Sequence, residues 1–335
     1  MLRLGYKASA EQFGPRDLLT FSCKAEAAGF DSVFISDHFQ PFRHTGGHAP
    51  ASIPWLGALG SMTSRVIMGT SVMTPTFRYH PAIVAQSFAT LASLYPGRIV
   101  LGVGTGESLN DVPALGIKWP PFKERQGRLR EAINLMRELW TKERVTFEGE
   151  YYRTDKATIY DRPQRPVPIY IAASGPTVAK MAGEIGEGYI CTSGKPRELY
   201  TDTLLPNVDA GLQAAGRKQN ALERMIEVKV SFDMDMRQAM GDTRNWAALA
   251  LSADEKMSVE DPVELERVAD ALPLERAAQR WIVSTDADEH VERIRQYVDL
   301  GFRHLVFHAP GANQIRFLEL YGQLVLPRLR SLQVS

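Results

Sequence analysis

Eight short apolar runs, each followed by a stretch of helical character, constrain this chain more than any other feature. The runs lie at residues 2–6, 32–36, 65–70, 98–102, 167–172, 188–191, 226–232 and 304–307. Runs this short and this apolar predict strands buried on both faces, as in a parallel sheet. Helical spacing or helix punctuation follows at 15–28, 53–62, 81–94, 122–140, 177–184, 197–215, 289–300 and 314–329. Such alternation, with no break in composition between halves, predicts an α/β fold of the (β/α)8 TIM-barrel kind. A doubly wound sheet is the alternative, but it usually has fewer strands. Two stretches stand outside the alternation. Residues 145–160 read as an inserted hairpin around Glu148-Gly149-Glu150, and approximately 234–280 as a long, mostly helical insertion. The expectation is one barrel over residues 1–335, with specificity in the insertions where they cover the active face.

Composition removes several function classes. Lys plus Arg and Asp plus Glu both total 39, without the basic excess of a nucleic-acid binder. Cys23 and Cys191 form neither a CxxC pair nor a disulfide framework, which predicts a reducing, cytoplasmic setting. Residues 1–6 lack a signal-peptide core, and no apolar run approaches the ~20 residues that span a bilayer, so no membrane partner is expected. His44 and His48 are four apart, but they sit in a Gly-rich loop without HExxH context, so no metal site is expected. GxSxG and Walker motifs are absent.

In a parallel barrel, ligands bind at the carboxyl ends of the strands. Those ends are unusually polar here. Asp37 and His38 follow the second strand, and Ser71 and Thr74 the third. Thr105, Gly106, Glu107 and Asn110 follow the fourth, Ser174 and Gly175 the fifth, and Thr192, Ser193, Gly194 and Lys195 the sixth. An Asp-His pair at the end of a buried strand places an acid and a base at the rim. The run Gly102-Val103-Gly104-Thr105-Gly106-Glu107 lets backbone approach a flat ligand or a phosphate. It is not GxGxxG, and no ribose-binding acid follows at the spacing a dinucleotide fold requires, so a Rossmann nicotinamide site is not expected. Glu107, among glycines, is expected to be partly desolvated and suited to proton transfer. Lys195, in Thr-Ser-Gly-Lys, suits an anion.

With these residues assembled, the sequence resembles the F420-dependent glucose-6-phosphate dehydrogenases of the bacterial luciferase-like barrel superfamily. The matching stretches are residues 4–13, Ser-Asp-His-Phe-Gln-Pro (36–41), Gly-Gly-His-Ala-Pro (46–50) and Thr-Pro-Thr-Phe-Arg-Tyr (74–79). Leu-Gly-Val-Gly-Thr-Gly-Glu (101–107), Ile-Cys-Thr-Ser-Gly-Lys (190–195) and residues 304–311 complete the set. The resemblance implies a homodimer that binds coenzyme F420, a deazaflavin, and oxidises a sugar 6-phosphate at C1, with hydride passing to C5 of the deazaflavin. It implies His38 and Glu107 as the proton-transfer residues. It implies cofactor contacts at Asp37, Thr74, Thr105, Gly106, Asn110, Ser174, Gly175, Thr177 and Val178, and a cis peptide at Ser71-Val72 beneath the ring. Thr192, Lys195, Lys256 and Arg280 match the substrate contacts, with the three cations clamping the phosphate.

Two positions depart from the family pattern. Phe42 stands where the family usually has tryptophan, which keeps an aromatic face but loses the indole N–H. Ser174-Gly175 replaces the usual Gly-Gly. A deazaflavin dehydrogenase or reductase of a non-phosphorylated alcohol, a flavin monooxygenase, and a non-catalytic deazaflavin-binding barrel are the competing readings.

Overall fold

A computed structural model describes residues 2–256 and 259–333, apart from the side chains of Ala253 and Lys256. Its strands are β1 (Arg3–Ala8), β2 (Ser32–Ile35), β3 (Ile67–Thr70), β4 (Ile99–Val103), β5 (Val145–Glu148), β6 (Arg153–Ala157), β7 (Ile169–Ala172), β8 (Gly188–Thr192), β9 (Glu223–Phe232), β10 (Ile282–Ser284) and β11 (His304–His308). Among the described residues, eight of these pair in parallel in the order β1-β2-β3-β4-β7-β8-β9-β11. Pairing of β11 back onto β1 closes the sheet. The expected (β/α)8 barrel is therefore present, with helices packed around it. β5 and β6 form a separate antiparallel hairpin.

The barrel interior follows from the two-residue period of a strand. Phe34, Val100, Tyr170, Ile190, Met225 and Val306 fill its middle as one apolar cluster. Two residues towards the amino ends, the same strand faces carry charge. Arg3 and Tyr170 donate hydrogen bonds to the Glu223 carboxylate, and His304 Nδ1 lies 2.9 Å from it. Burial alone would push the Glu223 pKa up, but the His304 and Tyr170 contacts and the Arg3 charge outweigh it and hold the group at about 2. Towards the carboxyl ends a second polar layer appears, built from Lys7, Glu227, Lys229 and His308. The outer faces of the strands pack against the helices in a larger core containing Tyr6, Phe30, Tyr189 and Phe307.

Three features differ from the sequence expectation. Residues 108–115, outside every helix expected from the sequence, form one (Ser108–Leu115) despite Pro113. Burial of Leu109, Asn110 and Asp111 holds it in place, and Gly116 ends it with a left-handed φ of 64°. β9 is longer than the apolar run, because Glu223 and Arg224 extend it through ion pairs. β10 adds a ninth strand on the extended end of β9, pairing Ile282 with Val230. Between β9 and β10 the described chain forms short helical segments, among them Met236–Asp242, Pro262–Asp270 and Leu274–Ala278. No helix among the described residues is long and apolar enough to cross a membrane.

The glycine run of β4 divides into two roles. A Cβ on Gly102 would lie 1.9 Å from the Thr70 carbonyl oxygen. The Thr70 hydroxyl donates to the Gly102 carbonyl at 2.7 Å and accepts from its N–H at 3.1 Å. Gly102 thus serves the contact of β3 with β4. Because the obstructing atom is backbone in the barrel wall, Gly102→Ala is expected to destabilise the protein by about 3 kcal/mol. Urea denaturation would show it as a lower midpoint at unchanged slope, and an unchanged midpoint would refute the close approach.

Candidate active site

The carboxyl ends of the barrel strands surround a cavity of about 500 Å³, within the usual range for small-molecule sites. Part of its lining consists of small residues, Gly104, Thr105, Gly106, Ala172, Ala173 and Ser174, and Ser71 and Val72 line it too. The Ser71-Val72 peptide is cis, and the Lys7 ammonium donates to the Ser71 carbonyl. Gly106 adopts a φ of 90°, and a Cβ there would crowd Trp119, Asp111 and Thr74. Small residues make this part of the lining suitable for a planar ring.

At one end of the cavity, His38 is the centre of a proton-handling group. Its Nδ1 lies 3.3 Å from the Gln40 carbonyl oxygen, which can only accept. With its hydrogen on Nδ1, the neutral ring donates there and presents the Nε2 lone pair. Nε2 lies 3.4 Å from Glu11 Oε1 and 3.9 Å from Glu107 Oε2. Glu11 is buried and receives the Ser36 hydroxyl at 3.0 Å. Glu107 is more open than its glycine neighbourhood suggested, with 47% of its side chain exposed. Asn110 Nδ2 donates to Glu107 at 3.1 Å, while its Oδ1 accepts from the Phe39 and Gln40 N–H groups. One amide therefore ties the loop after β2 to the loop after β4.

Asp37 borders the same end, but its carboxylate is already engaged. Oδ1 accepts from the Ser52 hydroxyl at 2.6 Å and from Tyr79 at 3.1 Å, and Oδ2 pairs with Arg78 at 3.1 Å. Burial and the neighbouring Asp37 charge raise the Tyr79 phenol to about 12. Arg78 also binds Asp111 at 3.1 Å. Both carboxylates are almost fully buried, so one arginine offsets part of the cost of two charges, and burial still raises the Asp111 pKa.

At the opposite end, positive charge gathers. Gly194, with a φ of 72°, turns the chain after β8 at Lys195, and the Arg280 backbone packs so closely on it that a Cβ there would lie 2.5 Å from the Arg280 carbonyl oxygen; Lys195 and Arg280 both line the cavity. Arg280 donates to the Leu249 and Ser193 carbonyls at 3.2 and 3.3 Å, while its buried Nε has no partner among the described residues. Burial lowers the Lys195 pKa, and the nearby Arg280 and Lys229 charges lower it further. Beneath them, Glu227 takes Lys7 and Lys229 at 3.1 Å each. Burial would raise Glu227, yet Lys7, Lys229 and His308 hold it well below the ordinary carboxylate range. Burial also holds His308 low, hence neutral near pH 7.

The cavity brings together most residues named from sequence: Asp37, His38, Phe42, Ser71, Val72, Thr74, Thr105, Gly106, Glu107, Asn110, Ser174, Thr192, Lys195 and Arg280. Gly175, Thr177 and Val178 do not line it. They lie at the start of the helix Pro176–Ile185, where Val178 packs into the core. Lys256 closes the helix Ala253–Lys256, and its side chain lies outside the described residues. Sequence reading missed Lys7, Glu11, Arg78, Glu227, Lys229, Trp246 and His308. A signal was available for two of them. Glu227 and Lys229 alternate with Ile226, Val228 and Val230, and charges two apart inside an apolar parallel strand must face a polar interior. Among the described residues no group of three or more His, Cys, Asp or Glu side chains could hold a metal ion.

Comparison with known proteins agrees with this geometry. Residues 2–304 match the family model described as luciferase-like monooxygenase. A protein of Nakamurella multipartita named F420-dependent glucose-6-phosphate dehydrogenase is 67% identical over 331 residues, covering 99% of this chain and 97% of that one. One of the same name from Mycolicibacterium smegmatis is 58% identical, covering 99% of both. A solved F420-dependent secondary alcohol dehydrogenase, in complex with an F420-acetone adduct, superposes with a TM-score of 0.92 at 33% identity, covering 98% of this chain and 99% of that one. The chain belongs to the luciferase-like monooxygenase family, in the branch that includes these F420-dependent glucose-6-phosphate dehydrogenases.

Proposed function

We propose that this protein oxidises glucose 6-phosphate, or a related sugar 6-phosphate, at C1 to the lactone with coenzyme F420 as hydride acceptor. The observation that carries the reading is one cleft with an imidazole between two carboxylates at one end and a pair of cations at the other. The relatives that are 58–67% identical carry the same activity in their names. The small residues Gly104, Gly106, Ala172, Ala173 and Ser174 in the lining suit the close approach of a planar deazaflavin. Backbone of Ser71, Val72, Thr105 and Gly106, with the Thr74 and Ser174 hydroxyls, would hold the ring. When bound, the deazaflavin supplies an electrophilic C5 that accepts hydride from C1.

The chain's own residues handle protons and position. His38 Nε2 accepts the proton of the C1 hydroxyl, and the buried Glu11 carboxylate stabilises the resulting imidazolium. Glu107, hydrogen-bonded to Asn110 and open to solvent, exchanges a proton at the cofactor face. Lys195 and Arg280 neutralise the phosphate and, by anchoring a remote group, orient C1 towards the reacting centre. Phe42 stands edge-on to His38, with ring centroids 5.1 Å apart, and forms an apolar side of the sugar pocket. Trp246 joins that side, but its N–H is committed to Gln12 at 2.8 Å. The aromatic side of the pocket therefore offers the sugar contact area rather than a donor.

The deciding experiment is absorbance of oxidised F420 mixed with the protein and each of glucose 6-phosphate, fructose 6-phosphate, mannose 6-phosphate and glucose. Bleaching is expected with glucose 6-phosphate and not with glucose. Equal bleaching by glucose would move the substrate to a non-phosphorylated alcohol, and no bleaching at all would end the reading. Lys195→Ala and Arg280→Ala should each raise KM for the sugar phosphate about 10- to 100-fold, the loss of a charged hydrogen bond. F420 affinity, read by fluorescence titration, should stay near wild type, and an unchanged KM in both variants would remove them from the substrate site. His38→Ala should lower kcat by ~10²–10⁴, and near-native turnover would show that another group takes the proton.

A further inference from the structure

We propose that Lys229 is a further cation of the anion site, a specificity-determining residue that recognises the phosphate from beneath Lys195 and Arg280. This deepens the reading above and rests on it. Lys229 lies on β9 with only 3% of its surface exposed, and it lines the cavity beside Arg280 and Lys195. An ammonium carries three donors. Among the described residues Lys229 Nζ makes one hydrogen bond, to Glu227 Oε1 at 3.1 Å, so the other donors are available to a ligand. Its backbone N–H donates to Ser193 Oγ at 2.8 Å, and the Ser193 carbonyl receives Arg280. One buried serine thus fixes Lys229 relative to the guanidinium.

Charge balance points the same way. The carboxylate facing Lys229 is Glu227, and Lys7 shares it. Arg280, Lys7 and Lys195 are the cations that bear on Lys229, and His308, on the neighbouring β11, is kept neutral by burial. Lys7, Lys229 and Arg280 thus face the one carboxylate of Glu227, with Lys195 beside them, a surplus of positive charge in a partly enclosed space. The unpartnered Arg280 Nε in the same place is a second buried donor without an acceptor. A dianionic phosphate both accepts hydrogen bonds and offsets the charge, whereas a hydroxyl of a neutral alcohol or an unphosphorylated sugar accepts a hydrogen bond but leaves the charge uncompensated. The fold does not depend on Lys229 for charge pairing at Glu227, because the Lys7 ammonium remains beside that carboxylate.

The test is Lys229→Met in the full chain, read in two ways. In turnover, KM for glucose 6-phosphate should rise about tenfold, a larger change than in kcat, with F420 affinity retained. Without cofactor, inorganic phosphate should raise the Tm of the wild-type protein and should do so much less in the variant. The double variant Glu227→Gln/Lys229→Met removes the pair together and carries the same expectation should the single variant fold poorly. An unchanged KM with undiminished stabilisation by phosphate would overturn the proposal, as would absence of stabilisation in the wild type. A fall in kcat with unchanged KM would likewise overturn it, showing a purely structural lysine. Failure of the wild type to oxidise any sugar phosphate is a separate result, which strikes the proposed reaction. The phosphate-dependent Tm still decides the role of Lys229 in that case.

Discussion

Closure of the parallel sheet is the constraint on which everything else in this molecule depends. Pairing of β8 with β9 and of β11 with β1 leaves the barrel without open edges and directs all eight carboxyl ends to one mouth. Residues from opposite ends of the chain, such as Lys7 and His308, become neighbours only through that closure. The interior then sorts by depth. Side chains two apart on one strand face stack in layers, and β9 shows the sequence of environments directly: Glu223 in the amino-end charge cluster, Met225 in the apolar middle, Glu227 and Lys229 beneath the cavity.

The buried carboxylates of the barrel interior and the β2 loop each have a cationic partner. Glu223 is matched by Arg3 and His304, and Glu227 by two lysines. Asp37 and Asp111 share Arg78. Each cluster joins elements far apart in sequence, which suits ion pairs whose desolvation cost is offset by geometry and hydrogen bonding rather than by attraction alone. The two clusters at the cavity also organise chemistry. Arg78 fixes the loop after β2 that carries His38, because it binds the Asp37 carbonyl as well as its side chain. Lys7 reaches both Glu227 and the Ser71 carbonyl at the cavity. The proton-handling end and the cationic end of the cleft are thereby held on one rigid frame, which is what reaction at a carbon remote from the phosphate requires.

Local pattern carried much of this. The apolar runs and helix punctuation were sufficient for the barrel, because strands buried on both faces leave an unmistakable composition. Polar residues directly after those runs were sufficient for His38, Glu107, Asn110, Thr192 and Lys195, since position at a strand end implies position at the mouth. The helix Ser108–Leu115 was illegible. Pro113 and the surrounding glycines favour a loop, and only tertiary burial of Leu109 and Asp111 reverses that preference. The openness of Glu107 was equally hidden, as neighbouring glycines say nothing about what else packs against a carboxylate.

What the sequence determined by itself is the architecture and the inventory of reactive groups at the barrel mouth, because both depend on periodicity and on residues adjacent in the chain. Which groups meet was left to the tertiary structure. Glu11 beside His38, Arg78 between two aspartates, and Lys229 beneath Arg280 join segments whose separation in sequence carries no distance information. The structure also separated the two uses of the glycine run, assigning Gly102 to strand contact and Gly106 to the cavity wall. The physical reason is common to all of these. Local spacing sets the direction of a side chain, while its partner, its burial and its charge state come from the long-range contacts made when the sheet closes.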